Sequence, residues 1–570
     1  MEQGKAKIAA LALVVAIAAA VFRPAAGAGF IDVDDGDYIA ASGAGIKEIF
    51  TTSPLGYYHP LTLLSFRAER SLAGLSPAVC HSTNIALHLG CCALVWRLAL
   101  ALGLQIPAAA LAALLFALHP TRVEPVAWVS GRKELLCCLF FLAALLAYAR
   151  YLKNRAWHAL AAPLLLFCCA LLSKPTIVFG PLILLLLDWR AGRADVKRML
   201  AEKIPFFAAS AAAVLVSVKA GLFFPGEVAA QHSAIGAAER LALGARTLRF
   251  YLHKTVFPAG LAAPYPLIET SGSVLPDMLF AAFAAGLCWF LIARRELRPA
   301  GLCAAAFALA VAPVLFFPAL IPSDRYLYTP AVALFLPAGA ALSAMRGKAV
   351  ASAAAAALLG VFAVYDGSLI KRWNNNLDFW SGVIARTTPR VETQTSRGRG
   401  AVFDRAVLAE AYLKRGDALL AASRPEAAIA DYSRSIGLKP EISTISSTSS
   451  QPKAYANRGT AYLISGHYEQ AVADYTQSLA LAPGDAGTYT NRGCAYHSLK
   501  LYAKAIADYD RAIKLKPDFD QAYANRGTSY GKLGRHEQAL ADFTTALHIN
   551  PGNALAKIGR GVAEEMLRGT

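Results

Sequence analysis

The sequence predicts an all-α chain in two parts: a polytopic membrane domain with about 11 transmembrane helices, followed by a solenoid of helical repeats. Of its 570 residues, 56% are hydrophobic and 16% are charged, whereas about a quarter of a soluble domain is charged. Apolar blocks of roughly 15 to 20 residues follow one another up to Tyr365, and the sequence turns polar and repetitive after Lys371. We therefore predict a membrane domain over 1–370, a linker over 371–405 and a repeat domain over 406–570.

The apolar blocks and the basic connectors between them define a topology. Lys and Arg cluster in short connectors such as "RYLKNR" and "RRELR", and such clusters mark the cytoplasmic side. The net charge of +18 is therefore interpreted as topology rather than as nucleic-acid binding. With a cytoplasmic N-terminus, 11 crossings place these connectors inside; the predicted spans are 6–23, 82–102, 106–118, 135–152, 157–173, 175–188, 203–220, 276–292, 299–317, 325–343 and 348–365.

Two segments of the membrane domain leave alternatives open. The first apolar run, 6–23, follows two lysines and precedes "AGA", so cleavage as a signal peptide is an alternative to the retained helix that we favour. The stretch 239–258 is amphipathic and cationic, and we expect it to lie at the interface rather than to span the membrane.

The C-terminal region repeats with a constant period. Arg458-Gly459 recurs as Arg492-Gly493 and Arg526-Gly527, and an earlier copy, Arg415-Gly416, is set further back by the Ser/Thr-rich insert 442–451. A helix–turn–helix unit of about 34 residues that ends in proline is typical of tetratricopeptide repeats. We predict four repeats and a capping helix over 555–568. Gly459 and its equivalents are expected to let the two helices of a repeat approach closely. The rings expected to fill the space between these helices are Tyr462, Tyr496 and Tyr530, one in each of the last three repeats.

Such a solenoid presents a concave face that fits extended peptides. Asn457, Asn491 and Asn525 lie on the first helices of successive repeats, where an amide can hold a peptide backbone. A solvated helix face is the alternative interpretation. We expect a peptide or protein partner in this groove.

The predicted external side collects ionisable residues, which are costly at membrane depth and therefore indicate function. The acidic first loop, 24–60, contains "FIDVDDGDYI", and later external segments include "HPTRVEPVAWVSGRKE" and "SDRYLY". These residue types suit sugar transfer from a lipid phosphate, in which a carboxylate takes the acceptor proton and cations stabilise the departing phosphate. We predict Asp34 and Asp35 as the catalytic pair. Support of the donor phosphate is assigned to His119, Glu124, Arg132, Lys133, Lys174 and Arg325, and the further external residues are Asp32, His59, His81 and Asp324.

Each assignment has a structural alternative. Asp34 and Asp35 also suit a solvated turn, His119-Pro120 a helix end, and Arg132 and Lys133 interfacial cations that extend to the membrane surface. His81 also suits a buried structural histidine. The aspartates of the first loop offer oxygen ligands to a divalent cation, but no ligand spacing is visible, and we predict no metal site.

The order of the motifs resembles a known family. "FIDVDDGDYI", "YYHPLTLLSF", "HSTNIALH", "LFALHPTRVEPVAWVSGRKELL", "LLSKPTIVFGPLILLLLDW", "EKIPFF" and "SDRYLYTP", followed by tetratricopeptide repeats, are similar to the transmembrane-and-TPR-repeat (TMTC-like) proteins. The resemblance implies a protein O-mannosyltransferase of the GT-C architecture with a polyprenyl-phosphate mannose donor and Ser or Thr acceptors. By this resemblance, the acidic pair of the family corresponds to Asp34 and Asp35. The residues that support the site correspond to His119, Glu124, Arg132, Lys133 and Arg325.

The sequence thus predicts a membrane glycosyltransferase whose repeats bind the acceptor or a partner, with lipid-linked sugar and membrane lipids as its other partners and no nucleic acid. The Ala-rich composition suggests a bacterial inner membrane with the site and repeats in the periplasm, or the ER lumen in a eukaryote. Two alternatives stay open: a non-enzymatic membrane scaffold for envelope assembly, and a transferase acting on a lipid or an envelope polymer.

Overall fold

The structure, a computed structural model, describes residues 2–51, 58–219, 236–261, 265, 273–316, 322–345, 348–393, 398–438 and 450–569. Throughout these ranges the regular elements are helices, as predicted. The chain forms two compact units, Met1–Phe379 and Trp380–Thr570. Most of the predicted insert, 442–449, lies outside the described residues.

The first unit is built from apolar helices and short amphipathic ones. Its helices, with the one that leads into the second unit, are α1 Glu2–Phe22, α2 Asp35–Ala41, α3 Ile46–Thr51, α4 Pro60–Leu72, α5 Pro77–Ala101, α6 Ile106–Leu118, α7 Val123–Ala127, α8 Arg132–Asn154, α9 Ala161–Ser173, α10 Gly180–Arg190, α11 Val196–Lys219, α12 Ala237–Val256, α13 Leu275–Ala293, α14 Arg298–Phe316, α15 Val332–Ala344, α16 Lys348–Arg372 and α17 Asn376–Glu392. The last of these occupies much of the predicted linker, 371–405.

Seven helices in the described part of the chain are long and apolar enough to cross a membrane, and the bent pair α6 and 120–127 makes an eighth if it is one span. Each of the 11 predicted segments contains a helix. Several are shorter than a bilayer requires, among them α15 with 13 residues. The long apolar helices make this an integral membrane protein, while the count of 11 crossings stays a prediction. The amphipathic stretch 239–258 forms α12 and is not among the long apolar spans.

A tight turn fixes the start of α8. A Cβ on Gly131 would lie 2.4 Å from the carbonyl oxygen of Pro125, so only glycine lets α7 and α8 approach this closely. The turn sets the directions of Arg132 and Lys133, which begin α8. It is therefore the element that aims the cationic end of this helix.

The charged residues of the connector between α10 and α11 are buried and form ion pairs with one another. Arg193 Nη1 lies 2.8 Å from Asp188 Oδ1, the same guanidinium pairs with Glu202, and Lys203 pairs with Asp188. The carboxylates are fully buried, and Tyr148 donates a 2.8 Å hydrogen bond to Asp188. Pairing of this kind is what allows charges to stay buried.

The second unit is an array of helical hairpins. Its further helices are α18 Gly398–Ala421, α19 Pro425–Gly437, α20 Ser450–Ile464, α21 Tyr468–Leu481, α22 Ala486–Ser498, α23 Tyr502–Leu515, α24 Asp520–Lys532, α25 His536–Ile549 and α26 Ala554–Arg568. These helices form four consecutive pairs followed by a single final helix.

One packing prediction for the repeats is wrong. The ring that lies against Gly459 belongs to Tyr475 on the second helix, and a Cβ on that glycine would be 2.9 Å from the ring. Tyr475 is fully buried, whereas Tyr462, the ring predicted from the first helix, is only half-buried. Both positions stay aromatic in each of the last three repeats, so the periodicity did not distinguish them.

Candidate active site

The structure separates the two aspartates of the predicted catalytic pair. Asp35 is buried, and its carboxylate accepts hydrogen bonds from the Ile31 N–H at 2.9 Å and from the Ser130 N–H and hydroxyl at 2.9 and 2.6 Å. Burial raises the pKa of Asp35 to about 6, against the effect of these bonds. Asp35 therefore ties the first external loop to the turn before α8 and has few lone pairs left for a substrate.

Asp34 is the open carboxylate of the pair. It precedes α2, and its side chain is 33% exposed. Its Oδ2 lies 3.3 Å from the Lys133 Nζ. Because consecutive residues entering a helix point in different directions, the Asp34 side chain stays partly exposed while that of Asp35 is buried.

Lys133 links the acidic loop to a set of rings. Its Nζ lies 4.8 Å from the ring centroid of Tyr38 and 5.0 Å from that of Trp128, distances at which a cation is attracted to an aromatic face. The Tyr38 hydroxyl in turn contacts His59 Nδ1 at 2.7 Å. Burial, followed by the charges of Lys133 and Lys174, holds the pKa of His59 well below its usual range. His59 is therefore neutral and orients Tyr38.

A second cation reaches the same region from the end of α9. The ammonium of Lys174 pairs with Glu134 on α8 and lies 4.7 Å from the ring centroid of Tyr326. Burial lowers the pKa of Lys174 to about 8, an effect that Glu134 opposes. Lys174 thus carries its charge at neutral pH.

Arg325 supplies the third cation, from the segment after α14. Its Nη1 lies 2.6 Å from Glu124 Oε1, and its backbone N–H donates to the other oxygen at 3.1 Å. The guanidinium lies 5.1 Å from the ring centroid of Trp128 and 5.2 Å from that of Tyr326. Lys133 and Arg325 therefore share Trp128, and Lys174 and Arg325 share Tyr326, so that two rings hold three cations together.

Two further acidic residues lie on the segments around this cluster. Asp324 is buried and accepts a 2.6 Å hydrogen bond from the Tyr265 hydroxyl, and burial raises its pKa well above the usual range. Asp32 is exposed, and its N–H donates to Asn376 Oδ1 at 2.7 Å. These bonds attach Asp324 to the segment after α12 and Asp32 to the start of α17.

Arg132, predicted to support the donor phosphate, is placed elsewhere. Its guanidinium is fully buried, pairs with Glu69 Oε2 at 2.8 Å, donates to Asn84 Oδ1 at 3.0 Å and lies 4.0 Å from the ring centroid of Phe66. It also donates to the Cys80 carbonyl at 3.0 Å. These contacts occupy the guanidinium from several sides, and Arg132 joins α4, α5 and α8.

The predicted histidines are likewise held inside the protein. The ring nitrogens of His119 contact the Thr121 hydroxyl at 2.8 Å and the Thr255 carbonyl at 3.0 Å. His81 Nε2 lies 3.2 Å from the Gly29 carbonyl. Both rings are buried, so the structural alternative describes them.

The site also contains residues that the sequence assignment left out. Trp128 and Tyr326 align the cations, Ser130 anchors Asp35, and Glu69 neutralises Arg132. Trp128 and Tyr326 lie close in sequence to the predicted cations Lys133 and Arg325, and that proximity is the feature that would have identified them.

An apolar groove of about 450 Å³ opens within the same unit. Its lining includes Thr329 and Pro330, which follow Arg325 and Tyr326 in the chain, and the polar side chains of Arg190 and Glu296. The rest of the lining is mostly apolar, with Phe141, Leu145, Ile183 and Leu336 among its side chains. Within the described ranges no three His, Cys, Asp or Glu side chains are grouped to hold a metal ion.

The predicted groove asparagines are half-buried in the second unit. Asn457 donates to Asp417 Oδ1 at 2.8 Å and Asn525 to Cys494 Sγ at 3.3 Å. In both cases the acceptor belongs to the first helix of the preceding repeat. Two of the three amides therefore donate one hydrogen bond each to the preceding repeat.

Comparison with known proteins identifies the repeats of the second unit. The tetratricopeptide-repeat family models match residues 409–442, 452–485, 486–519 and 521–553. Curated proteins that match include protein O-mannosyl-transferase Tmtc1 of Drosophila melanogaster, 35% identical over 136 residues, which are 23% of this chain and 16% of the relative. Another is human protein O-mannosyl-transferase TMTC4, 41% identical over 111 residues, which are 17% of this chain and 15% of the relative.

The chain resembles these O-mannosyl-transferases. The resemblance predicted from the motifs, to TMTC-like proteins with tetratricopeptide repeats, is confirmed. The chain spans about one sixth of the length of the relatives that it matches.

Solved structures that are similar to the chain are repeat domains. The Arabidopsis OM64 TPR domain is 29% identical, with a TM-score of 0.20, over 20% of this chain and 95% of that one. MamA is 23% identical, with a TM-score of 0.25, over 30% of this chain and 89% of that one.

Proposed function

We propose that the protein is a GT-C-type membrane glycosyltransferase that moves a sugar from a polyprenyl-phosphate carrier to Ser or Thr hydroxyls of exported proteins. One observation carries the proposal: the open carboxylate of Asp34 lies 3.3 Å from the first of three clustered cations, Lys133, Lys174 and Arg325. A base beside a phosphate site is what this reaction requires.

In the proposed reaction the acceptor hydroxyl oxygen attacks the anomeric carbon of the sugar. Its proton passes to a carboxylate oxygen of Asp34, the bond from the anomeric carbon to the phosphate oxygen breaks, and the electron pair stays on the phosphate. Lys133, Lys174 and Arg325 neutralise the charge that develops there. Attack opposite to the leaving phosphate inverts the anomeric carbon, and the step needs no resident cofactor.

The apolar groove is the proposed binding site of the polyprenyl chain. Each buried methylene contributes about 0.8 kcal/mol, so even a few isoprene units give substantial affinity. The groove wall at Thr329 and Pro330 is continuous in sequence with Arg325, which would leave the phosphate next to the cations.

Mannose is the proposed sugar because the curated relatives are named protein O-mannosyl-transferases. The repeats would bind the protein acceptor, with Asn457, Asn491 and Asn525 along the binding face. We place the site and the repeats on the periplasmic side of a bacterial inner membrane, because the basic connectors then lie in the cytoplasm.

A transfer assay tests the proposal. Purified protein in detergent is given polyprenyl-phosphate [³H]mannose and a Ser/Thr peptide, and Asp34→Asn is compared with Asp37→Asn. Asp37 is exposed on the same helix and serves as the matched control. We expect transfer by the wild type and by Asp37→Asn but not by Asp34→Asn. Inactivity of the wild type with lipid-linked sugars would favour the scaffold, and transfer to lipid alone would favour the polymer or lipid acceptor.

A further inference from the structure

Three polar residues form a stripe along the first half of the apolar helix α5. His81, Asn84 and His88 are spaced at i, i+3 and i+7, which places them on one face of the helix. All three side chains are fully buried. A buried polar side chain is costly unless it is hydrogen-bonded, so the partners of these three residues show what the stripe holds.

The first residue of the stripe holds the acidic first loop. His81 Nε2 lies 3.2 Å from the Gly29 carbonyl, and because a carbonyl only accepts hydrogen bonds, this nitrogen carries the proton. Gly29 lies five residues before Asp34 in the chain. His81 therefore attaches to α5 the start of the loop that carries the proposed base.

The second residue holds the turn before α8. The Asn84 amide nitrogen donates to the carbonyls of Trp128 and Val129 at 3.0 and 3.2 Å, so both of its N–H groups are used on this turn. The Trp128 ring is the one that Lys133 and Arg325 share. A shift of the turn would therefore move the ring and change the separation of the two cations.

The third residue holds the segment that carries Arg325. His88 Nε2 lies 3.2 Å from the Ala117 carbonyl and donates to it, so Nδ1 of the neutral ring accepts from the Tyr328 hydroxyl at 2.7 Å. The Tyr328 N–H in turn donates to the Arg325 carbonyl at 3.1 Å. Anchoring Tyr328 to α5 therefore also anchors Arg325.

We propose that the α5 stripe of His81, Asn84 and His88 is the positioning element of the site. It fixes the acidic loop, the Trp128 turn and the Arg325 segment relative to one another, and it thereby sets the affinity for the donor phosphate. Apolar side chains would also pack these helices together, whereas directed hydrogen bonds specify a single arrangement. The positioning role rests on the proposed function, because the segments that the stripe holds carry Asp34 and two of the clustered cations.

The bond between His88 and Tyr328 is the sharpest place to test the proposal, because it can be removed from either side. His88→Leu removes the imidazole, and Tyr328→Phe removes only the hydroxyl. His88→Asn places an amide oxygen near the position of Nδ1 and so keeps an acceptor for the Tyr328 hydroxyl. Ser82→Ala, at an exposed position on the same helix, is the matched control.

Hydrogen exchange of the full chain in detergent reports on the segment without any substrate. The Tyr328 N–H, bonded to the Arg325 carbonyl, should exchange about 10-fold faster in His88→Leu and in Tyr328→Phe. The double variant should exchange no faster than either single variant, because both substitutions remove the same bond. His88→Asn and Ser82→Ala should exchange at nearly the wild-type rate.

Donor affinity connects the same variants with catalysis. We expect the dissociation constant of polyprenyl monophosphate, and the KM for the lipid-linked sugar, to rise about 10-fold in His88→Leu and Tyr328→Phe. The kcat at saturating donor should change less than the KM, because binding of the phosphate rather than proton transfer to Asp34 is impaired. His88→Asn should restore the affinity.

A second substitution tests whether each residue of the stripe holds its own segment. Asn84→Asp keeps the shape of the side chain but removes both N–H donors. The exchange rate should then rise at Gly131, whose N–H donates to the Trp128 carbonyl at 3.0 Å, and should stay unchanged at Tyr328.

Circular dichroism confirms that each variant is folded. Unchanged exchange in His88→Leu and Tyr328→Phe, an equal effect of His88→Asn and His88→Leu, or additive effects in the double variant would overturn the positioning role. Faster exchange with unchanged donor affinity would also overturn it. A wild-type protein that binds no polyprenyl monophosphate would instead refute the proposed function, and the exchange rates would still show whether the stripe fixes these segments.

Discussion

The two aspartates of the first loop should respond differently to the same substitution. Asp34→Asn keeps the size of a side chain that is 33% exposed, so the stability should change by no more than about 0.5 kcal/mol. Loss of the proposed base should lower the transfer rate about 10²- to 10⁴-fold. The measurements are the initial rate of mannose transfer and the thermal unfolding midpoint in detergent.

Asp35→Asn should give the opposite pattern. The Asp35 carboxylate accepts from the Ile31 N–H on one oxygen and from Ser130 on the other, and an amide can accept on only one side. A buried backbone N–H then faces the NH₂ group of the new asparagine and loses its acceptor. Leaving such a donor unpaired lowers the stability of the folded state by about 1–3 kcal/mol. The unfolding midpoint should fall, and the rate per folded molecule should fall less than in Asp34→Asn. Equal behaviour of the two variants, or a greater loss of rate in Asp35→Asn, would refute the separation of roles.

Three further predictions follow from burial and packing. Because the pKa of Asp35 is raised to about 6 in the folded state, the folded protein binds a proton at higher pH than the unfolded chain does. From pH 7 to pH 5 the wild type should therefore gain about 1.4 kcal/mol of stability relative to Asp35→Asn. Melting curves at the two pH values that show no such gain would contradict this. Because Lys174 has a pKa lowered to about 8, the KM for the lipid-linked donor should rise above pH 8, and Lys174→Arg should move that rise to higher pH; an unchanged KM profile in the arginine variant would argue against a phosphate contact. Gly493→Ala should destabilise the repeats by about 1–3 kcal/mol, because the new Cβ would meet the Tyr509 ring at 2.6 Å, whereas Gly531→Ala should not, and differential scanning calorimetry separates the two.

The sequence grouped the charged segments on one predicted side of the membrane, but it did not predict the direction of each side chain. The positions of the basic connectors brought Asp34, Lys133, Lys174 and Arg325 to the same external side, and in the structure Asp34 contacts Lys133 and two rings hold the three cations. Arg132 and Lys133 are adjacent in sequence, yet successive helical residues point about 100° apart. Arg132 therefore packs against Glu69 and Phe66, whereas Lys133 contacts Asp34 and Trp128.

In the repeats, too, the sequence predicted which segments come together but not which side chain fills the contact. The constant spacing of the Arg-Gly pairs predicted the helix pairs and the close approach at Gly459. It could not choose between Tyr462 and Tyr475, because either position keeps an aromatic residue in register through the last three repeats. Packing against the glycine selects the ring of the second helix, and that is a property of the folded hairpin.

A structure of the protein with bound polyprenyl monophosphate would show where the donor phosphate lies. We expect phosphate density within about 4 Å of Lys133, Lys174 and Arg325, with Asp34 bordering the space beside it and the polyprenyl chain in the apolar groove. Phosphate bound elsewhere, with Asp34 separated from it, would rule out the proposed roles of these residues.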